Sequence, residues 1–207
     1  MIHHDVLIVG TGVMGVALAN SINSDELSIG IIESNPEPYL SKRHLSINQK
    51  SLNFFKDLDV WKEIEPNAYP YRKIKVWDQE GSGYIEFDSQ EANIDLLGHI
   101  VSEGKIQKSL IDSLETKKVN FYWNNKLLDI KKNTSDIICT TSNDQISCKF
   151  LIGCDGVNSS VRDLGKFESR FWSYNQTAIV ANLKSSDIDS TIRQTFTKIG
   201  PLALLPI

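Results

Sequence analysis

The chain has 207 residues, 41% of them hydrophobic, and a formal net charge of −4. That length is one large domain or one and a half ordinary ones, and a compact fold of this size buries about 70% of the surface its unfolded chain exposes. The mildly acidic balance gives no electrostatic case for nucleic acid as a partner. No apolar run approaches the ~18 residues that a membrane-spanning helix needs. Cys139, Cys148 and Cys154 are an odd number without metal-type spacing, so reduced cytosolic thiols and no metal site are expected. His3, His4, His44 and His99 are too scattered to read as a metal tract, and the first strand begins too close to Met1 to leave room for a signal peptide.

The first predicted strand, Asp5-Val6-Leu7-Ile8-Val9, runs straight into Gly10-Thr11-Gly12-Val13-Met14-Gly15. An apolar, small-residue helix follows from Val16 to Ile22, and a second short strand, Ile29-Gly30-Ile31-Ile32, ends in Glu33. In such a unit Gly10 allows the tight turn, Gly12 lets the backbone approach a pyrophosphate, and Gly15 lets the helix pack close to the strand. The helix N-terminus offers unpaired N–H groups and a positive dipole end to phosphates. Glu33 stands where a carboxylate would hold the ribose hydroxyls of an adenine dinucleotide. The alternative is a glycine-rich turn in an ordinary α/β unit, and the motif alone does not say which dinucleotide is bound.

A loop through Pro36 and Pro38 leads to an amphipathic helix over Asn48 to Leu58, with Leu52, Phe55 and Leu58 on one stripe and Asn48 as its cap. A short helical piece from Asp59 ends before Pro66. Lys73 to Asp78 and Tyr84 to Phe87 alternate polar and apolar residues around Gly81-Ser82-Gly83, the pattern of a hairpin with one wet face. Glu103 to Glu115 returns to helix, with Ile106, Leu110, Ile111 and Leu114 on one face, and Asn120 to Trp123 is a strand for the core sheet. Three short strands between Lys126 and Cys148 form a β-meander. Phe150 to Cys154 is then expected as a separate strand buried on both faces. Further antiparallel strands are predicted over Thr177 to Leu183, Thr191 to Thr197 and Leu202 to Leu205.

A second glycine-bearing turn, Gly153-Cys154-Asp155-Gly156, follows the Phe150 strand, and a helix is expected to start at Ser159. Ligands of open α/β sheets bind beyond the carboxyl ends of the strands, so this turn can lie beside the first. Asp155 could accept from a ribityl or ribose hydroxyl, Gly156 would permit close backbone approach, and Arg162 could hold the loop or pair with phosphate. The plainer reading is a strand-to-helix turn with a capping serine.

These two turns together resemble the flavoprotein aromatic monooxygenases related to para-hydroxybenzoate hydroxylase. Arg43-His44-Leu45-Ser46-Ile47-Asn48, Leu97-Gly98-His99-Ile100-Val101 with Gln107, Tyr174-Asn175-Gln176-Thr177-Ala178 and Gly200-Pro201-Leu202-Ala203-Leu204-Leu205-Pro206 are similar to the ubiquinone-biosynthesis hydroxylase branch, which includes the 2-polyprenyl-6-methoxyphenol and 2-polyprenylphenol hydroxylases. The resemblance implies an α/β fold: a Rossmann-like parallel FAD-binding sheet with a β-meander, plus part of an inserted antiparallel substrate-domain sheet. It implies a division into residues 1–165, interrupted by a hairpin at about 72–90, and an incomplete substrate sheet at 166–207.

The cofactor implied is FAD, with NAD(P)H as electron donor and O₂ as co-substrate. In that family the reduced flavin activates oxygen for an electron-rich phenolic ring, here a lipid-tailed, polyprenylated phenol. Glu33 would bind the adenosine ribose, Arg43 would reach FAD, Gln107 would lie near the phosphates and ribityl chain, and Asp155 and Gly156 would serve FAD and NAD(P)H. Gly10, Gly12 and Gly15 complete the implied set. No catalytic side chain is assigned, because the hard chemistry belongs to the cofactor. The resemblance admits a ubiquinone-pathway protein complex and places the protein in the cytoplasm, with membrane contact at most peripheral at the inner membrane face.

Two departures stand out. Family members commonly carry Glu-Asn where Ser102-Glu103 stand. The family's third flavin motif lies beyond the Gly200-Pro201 stretch, and Leu202 to Ile207 would be left as an apolar edge. The expectation is therefore a truncated product, a fragment or half of a split gene, with a weakly FAD-binding, non-catalytic chain as the alternative.

Overall fold

A computed structural model describes residues 1–186 and 189–207. In chain order the first elements are β1 (Ile2–Val9), α1 (Val13–Ser21), β2 (Ile29–Ile32), β3 (His44–Asn48), α2 (Gln49–Asp57) and α3 (Trp61–Ile64). Then come β4 (Tyr69–Tyr71), β5 (Lys73–Asp78), β6 (Tyr84–Asp88), β7 (Gly98–Ser102) and α4 (Glu103–Leu114). The remainder is β8 (Val119–Tyr122), β9 (Leu127–Lys132), β10 (Ile137–Thr141), β11 (Gln145–Gly153), α5 (Ser160–Leu164), β12 (Thr191–Thr197) and β13 (Gly200–Leu204). Two compact units result: Met1–Leu40 with Ile106–Thr177, and Ser41–Lys105 with Ala178–Ile207. The hairpin expected as an insertion at about 72–90 lies in the second unit, together with its flanking segments.

The first unit is built on a six-stranded sheet ordered β8-β2-β1-β11-β10-β9. Its first four strands are parallel and its last two antiparallel, so the expected parallel sheet with a meander forms. β1 lies between β2 and β11, and Val6, Leu7, Ile8 and Val9 are all buried. That explains its run of apolar residues without alternation, since both faces of a central parallel strand are covered. On one face Leu7 and Val9 pack with Ile146 and Cys148 of β11, Cys139 of β10 and Val161 of α5. Burial of each such aliphatic side chain contributes roughly 1.5–3 kcal/mol.

The expected apolar stripe of α4, Ile106, Leu110, Ile111 and Leu114, is buried throughout. α4 is tied to α1 by polar contacts at a fully enclosed position. Asn20 Nδ2 donates to Leu110 O at 2.9 Å, Ser113 Oγ donates to Asn20 Oδ1, and Lys117 Nζ donates to Asn20 O at 2.9 Å.

The second unit holds two sheets, β13-β12-β5-β6 and β3-β7-β4. The β5–β6 hairpin forms and pairs Lys73 with Asp88 at 2.7 Å and Lys75 with Glu86 at 3.2 Å, while its apolar residues Ile85 and Phe87 are exposed as well. Tyr71, Ile100 and Ile192 form its small apolar centre, with Ile74, Leu97 and Ile207 packed against it. α2 starts where expected, with Asn48 Oδ1 accepting from the Ser51 N–H at 3.0 Å, and buries Leu52 and Phe55.

Three expectations need correction. The third meander strand and the Phe150 strand are one nine-residue strand, β11, which pairs with β1 along its length. Its second half is not buried on both faces: Phe150 is 65% exposed, because β10 pairs with β11 only as far as Cys148. The predicted strand over Thr177 to Leu183 does not form, and Ile179 is 91% exposed there. The sheet of β3, β7 and β4 was not anticipated, since its strands are three to five residues long and carry no clear alternation.

A buried histidine near the start of β1 reaches across the parallel strands to Tyr122, the last residue of β8. His4 Nε2 shares a hydrogen bond with Tyr122 Oη at 2.7 Å, and the ring crosses β2 at Gly30, where a Cβ would meet His4 Cδ2 at 2.7 Å. Nδ1 of His4 has no hydrogen-bond partner among the described residues. Protonation would therefore add a buried N–H that meets no acceptor, and burial holds the pKa of His4 below 6.5. Burial has the same effect on His99, whose ring stands edge-on to Trp61.

The unfolded chain thus binds more protons than the folded one below 6.5, so stability is full above that pH and declines as pH falls beneath it. Urea unfolding between about pH 8 and pH 5.5 should show this decline, and ring-proton NMR should show His4 neutral at about pH 6. A His4 ring titrating near its ordinary value would contradict the account.

Candidate functional site

The site grows from the close approach of β1 and β11. Cys154 N–H donates to Val9 O at 2.8 Å, and Gly10 then turns with φ +104°, a conformation that favours glycine. A Cβ on Gly10 would lie 2.4 Å from Cys154 O, and one on Gly15 would lie 2.1 Å from Gly10 O. Both positions are glycine because backbone occupies the space. Gly12 differs: its φ of −57° is ordinary, and a Cβ there would meet nothing within 4 Å. Gly12 is also the N-cap of α1, and no side chain caps that end. The first-turn N–H groups of α1 therefore receive no side-chain acceptor from their N-cap, as a phosphate cradle requires.

Glu33 is buried at the end of β2 and accepts five hydrogen bonds. Oε2 accepts from Thr11 N at 3.0 Å and Thr11 Oγ1 at 2.7 Å. Oε1 accepts from Asn35 N at 2.9 Å, Asn35 Nδ2 at 2.8 Å and Ser34 Oγ at 3.2 Å. Burial alone would raise its pKa, but the bonds from Asn35, Thr11 and Ser34 outweigh it and hold the carboxyl below its ordinary range. Glu33 is an anion that already joins the first glycine turn to the loop after β2. Gln107 of α4, also buried, donates from Nε2 to Thr11 O at 2.8 Å.

At the second turn Asp155 serves α5. Its Oδ1 accepts from Ser159 Oγ at 2.6 Å and its Oδ2 from Val161 N–H at 3.2 Å, while Ser159 Oγ accepts from Arg162 N–H at 3.0 Å. Gly156 adopts φ +82° with open space around a would-be Cβ. The Arg162 guanidinium lies over the Phe171 ring at 4.9 Å.

The first unit therefore holds Gly10, Gly12, Gly15, Glu33, Gln107, Asp155 and Gly156, with the two turns in backbone contact. Arg43 belongs to the second unit. Its Nε and Nη2 grip the Glu103 carboxylate at 2.9 Å each, and this pairing draws the Glu103 pKa down. Glu103 N–H and Gly104 N–H also donate to Arg43 O and Ser41 O, so the 41–43 loop is fastened to the start of α4.

Sequence reasoning missed Thr11. It is 2% exposed, and its N–H, hydroxyl and carbonyl are all engaged by Glu33 and Gln107. The available signal was a hydroxyl between two glycines with an acid at the end of the next strand.

The groups present fit a dinucleotide: an uncapped helix N-terminus, an open Gly12 and two acid-anchored turns. Comparison with known proteins agrees. The chain is 28% identical over 213 residues to 3-demethoxyubiquinol 3-hydroxylase of Escherichia coli (strain K12), covering 98% of this chain and 54% of that protein. It is also 28% identical over 229 residues to the human mitochondrial ubiquinone biosynthesis monooxygenase COQ6, covering 99% and 48%. The chain thus spans about half the length of these relatives.

Among solved structures, a probable FAD-dependent monooxygenase, pqsL, from Pseudomonas aeruginosa superposes with a TM-score of 0.72 at 16% identity, over 93% of this chain and 54% of that one. The p-nitrophenol 4-monooxygenase PnpA from Pseudomonas putida DLL-E4 gives 0.70 at 17%, over 79% and 44%. At such identities the likeness is one of fold. Residues 3–199 match the FAD binding domain family from near one end to near the other, and the chain belongs to that family.

Proposed function

We propose that this chain is the FAD-holding part of an NAD(P)H-using aromatic-ring monooxygenase that acts on a polyprenylated phenol in ubiquinone biosynthesis. The observation that carries the reading is the pairing of an uncapped α1 N-terminus at Gly12 with the neighbouring Asp155-Gly156 turn, in a chain whose relatives are ubiquinone-biosynthesis hydroxylases. When bound, FAD would supply the redox and oxygen-activating chemistry. The chain's own residues would bind and orient it. The amides following Gly12 would receive the pyrophosphate. Glu33 would meet the adenosine ribose, and Gly156 would let the backbone approach the cofactor.

Glu33 constrains how this can happen. A carboxylate offers about four lone-pair sites, and five donors already crowd this one. A ribose hydroxyl must displace a donor, and the Ser34 hydroxyl, at 3.2 Å the longest of the five, is the first to yield. Arg43 would approach FAD as a guanidinium whose orientation Glu103 sets. NAD(P)H would be the donor, O₂ and a lipid-tailed phenol the substrates, and a ubiquinone-pathway complex the setting. Among the described residues no helix is long and apolar enough to cross a membrane, and we take any membrane contact to be peripheral.

Titration of the purified chain with FAD, read by flavin fluorescence, should show saturable binding. Addition of NADH or NADPH under air with a polyprenylphenol then tests hydroxylation by product mass. A chain that takes up no FAD would overturn the reading.

The glycines give a sharper test. Gly12→Ala should leave unfolding stability within about 0.5 kcal/mol, since its Cβ meets open space, yet weaken FAD about tenfold or more. Gly15→Ala should instead cost roughly 1–3 kcal/mol of stability, because its Cβ would overlap Gly10 O. Chemical unfolding and FAD titration of both variants separate the two roles.

A further inference from the structure

Thr11 is a polar residue as enclosed as the apolar core, and no role in binding accounts for it. Its three polar groups fix the two peptide planes on either side of it. The N–H of the Gly10–Thr11 peptide and the side-chain hydroxyl both donate to Glu33 Oε2, at 3.0 and 2.7 Å. The carbonyl of the Thr11–Gly12 peptide accepts from Gln107 Nε2 at 2.8 Å. A trans peptide is planar, with its C=O and N–H pointing in opposite directions. Holding Thr11 O against Gln107 therefore turns the Gly12 N–H to the opposite side. Gly12 begins α1, whose end has no side-chain cap.

We propose that Thr11 is a positioning residue, which with Glu33 and Gln107 presets the Gly12 peptide so that its amide faces the dinucleotide pyrophosphate before the ligand arrives. This rests on the FAD reading above and gives Glu33 and Gln107 a task that precedes any contact of their own with the cofactor. The benefit is preorganisation: a turn already held in its bound shape loses less conformational entropy on binding. A glycine on each side makes the hold necessary, since glycine restricts its own backbone least. The hydroxyl matters as well as the backbone. Without it, Oε2 would keep one donor from the turn, and the loop after β2 would hold the turn through a single hydrogen bond.

The test compares Thr11→Val, which keeps the shape and removes the hydroxyl, with Thr11→Ser, which keeps the hydroxyl. Binding of FAD and of ADP, which carries only the pyrophosphate end, is measured by titration calorimetry, with circular dichroism confirming the fold. Thr11→Val should weaken both ligands by about tenfold and Thr11→Ser should restore binding to within about twofold. Equal affinity of Thr11→Val and the unmodified chain would overturn the proposal while leaving the FAD reading intact. Failure of the unmodified chain to bind either ligand would instead overturn that reading.

Amide hydrogen exchange on the unmodified, ligand-free chain keeps the proposal testable if Thr11→Val does not fold. The Thr11 amide should be protected and the Gly12 amide should exchange readily, becoming protected when ADP is added. A Gly12 amide already protected without ligand, or unaffected by ADP, would overturn the proposal.

Discussion

The parallel pairing of β1 with β11 is the contact on which the rest of the first unit depends. These strands are far apart in sequence yet run in register from Ile2–Ile146 to Val9–Gly153, and both end in glycine-bearing turns. Their ends come so close that only a residue without a Cβ fits at Gly10. This places two loops far apart in sequence side by side at one end of the sheet, beyond the carboxyl ends of the strands, where open α/β sheets hold their ligands. The meander β9–β10–β11 is the connection that returns the chain to β1, and its buried face, with Cys139, Ile146 and Cys148, supplies the apolar area that holds the return in place.

Both acids of the two turns work for the fold before they could work for a ligand. Glu33 links the first turn to the loop after β2, and Asp155 gathers the N-terminus of α5. Each carboxylate gathers the donors aimed at it, backbone N–H groups among them, so each turn arrives in a fixed shape. Rigidity of this kind suits a family whose cofactor carries the reaction and whose protein must supply orientation. On the reading proposed above, the adenosine end of the ligand would meet a surface whose shape the chain has already set.

The elements legible in the sequence were those with a local signal. The Gly10-x-Gly12-x-x-Gly15 turn, the apolar stripe of α4, the cap of α2 and the charged face of the β5–β6 hairpin all follow from residues a few positions apart. What was not legible depends on distant partners. β3, β7 and β4 are strands because they lie against one another, and Phe150 is exposed because β10 stops short of it. Thr177 to Leu183 has a strand-like composition, but a strand also needs a neighbouring edge to pair with. Thr11 was missed for the same reason: its environment comes from Glu33 and Gln107, neither of which is its neighbour in sequence.

The three glycines of the first turn show how a site and a fold can be told apart residue by residue. At Gly10 and Gly15 the space for a side chain is filled by backbone, so the folded chain alone demands glycine there. At Gly12 neither sterics nor backbone angle makes that demand, and alanine would favour the fold slightly by narrowing the unfolded ensemble. A residue that the fold does not require, at the start of α1 and next to a peptide held in place by Thr11, Glu33 and Gln107, is accounted for, on the FAD reading proposed above, by what would approach it from outside. On that reading the requirement for glycine would come from the ligand, and the loop around it is held in shape before the approach.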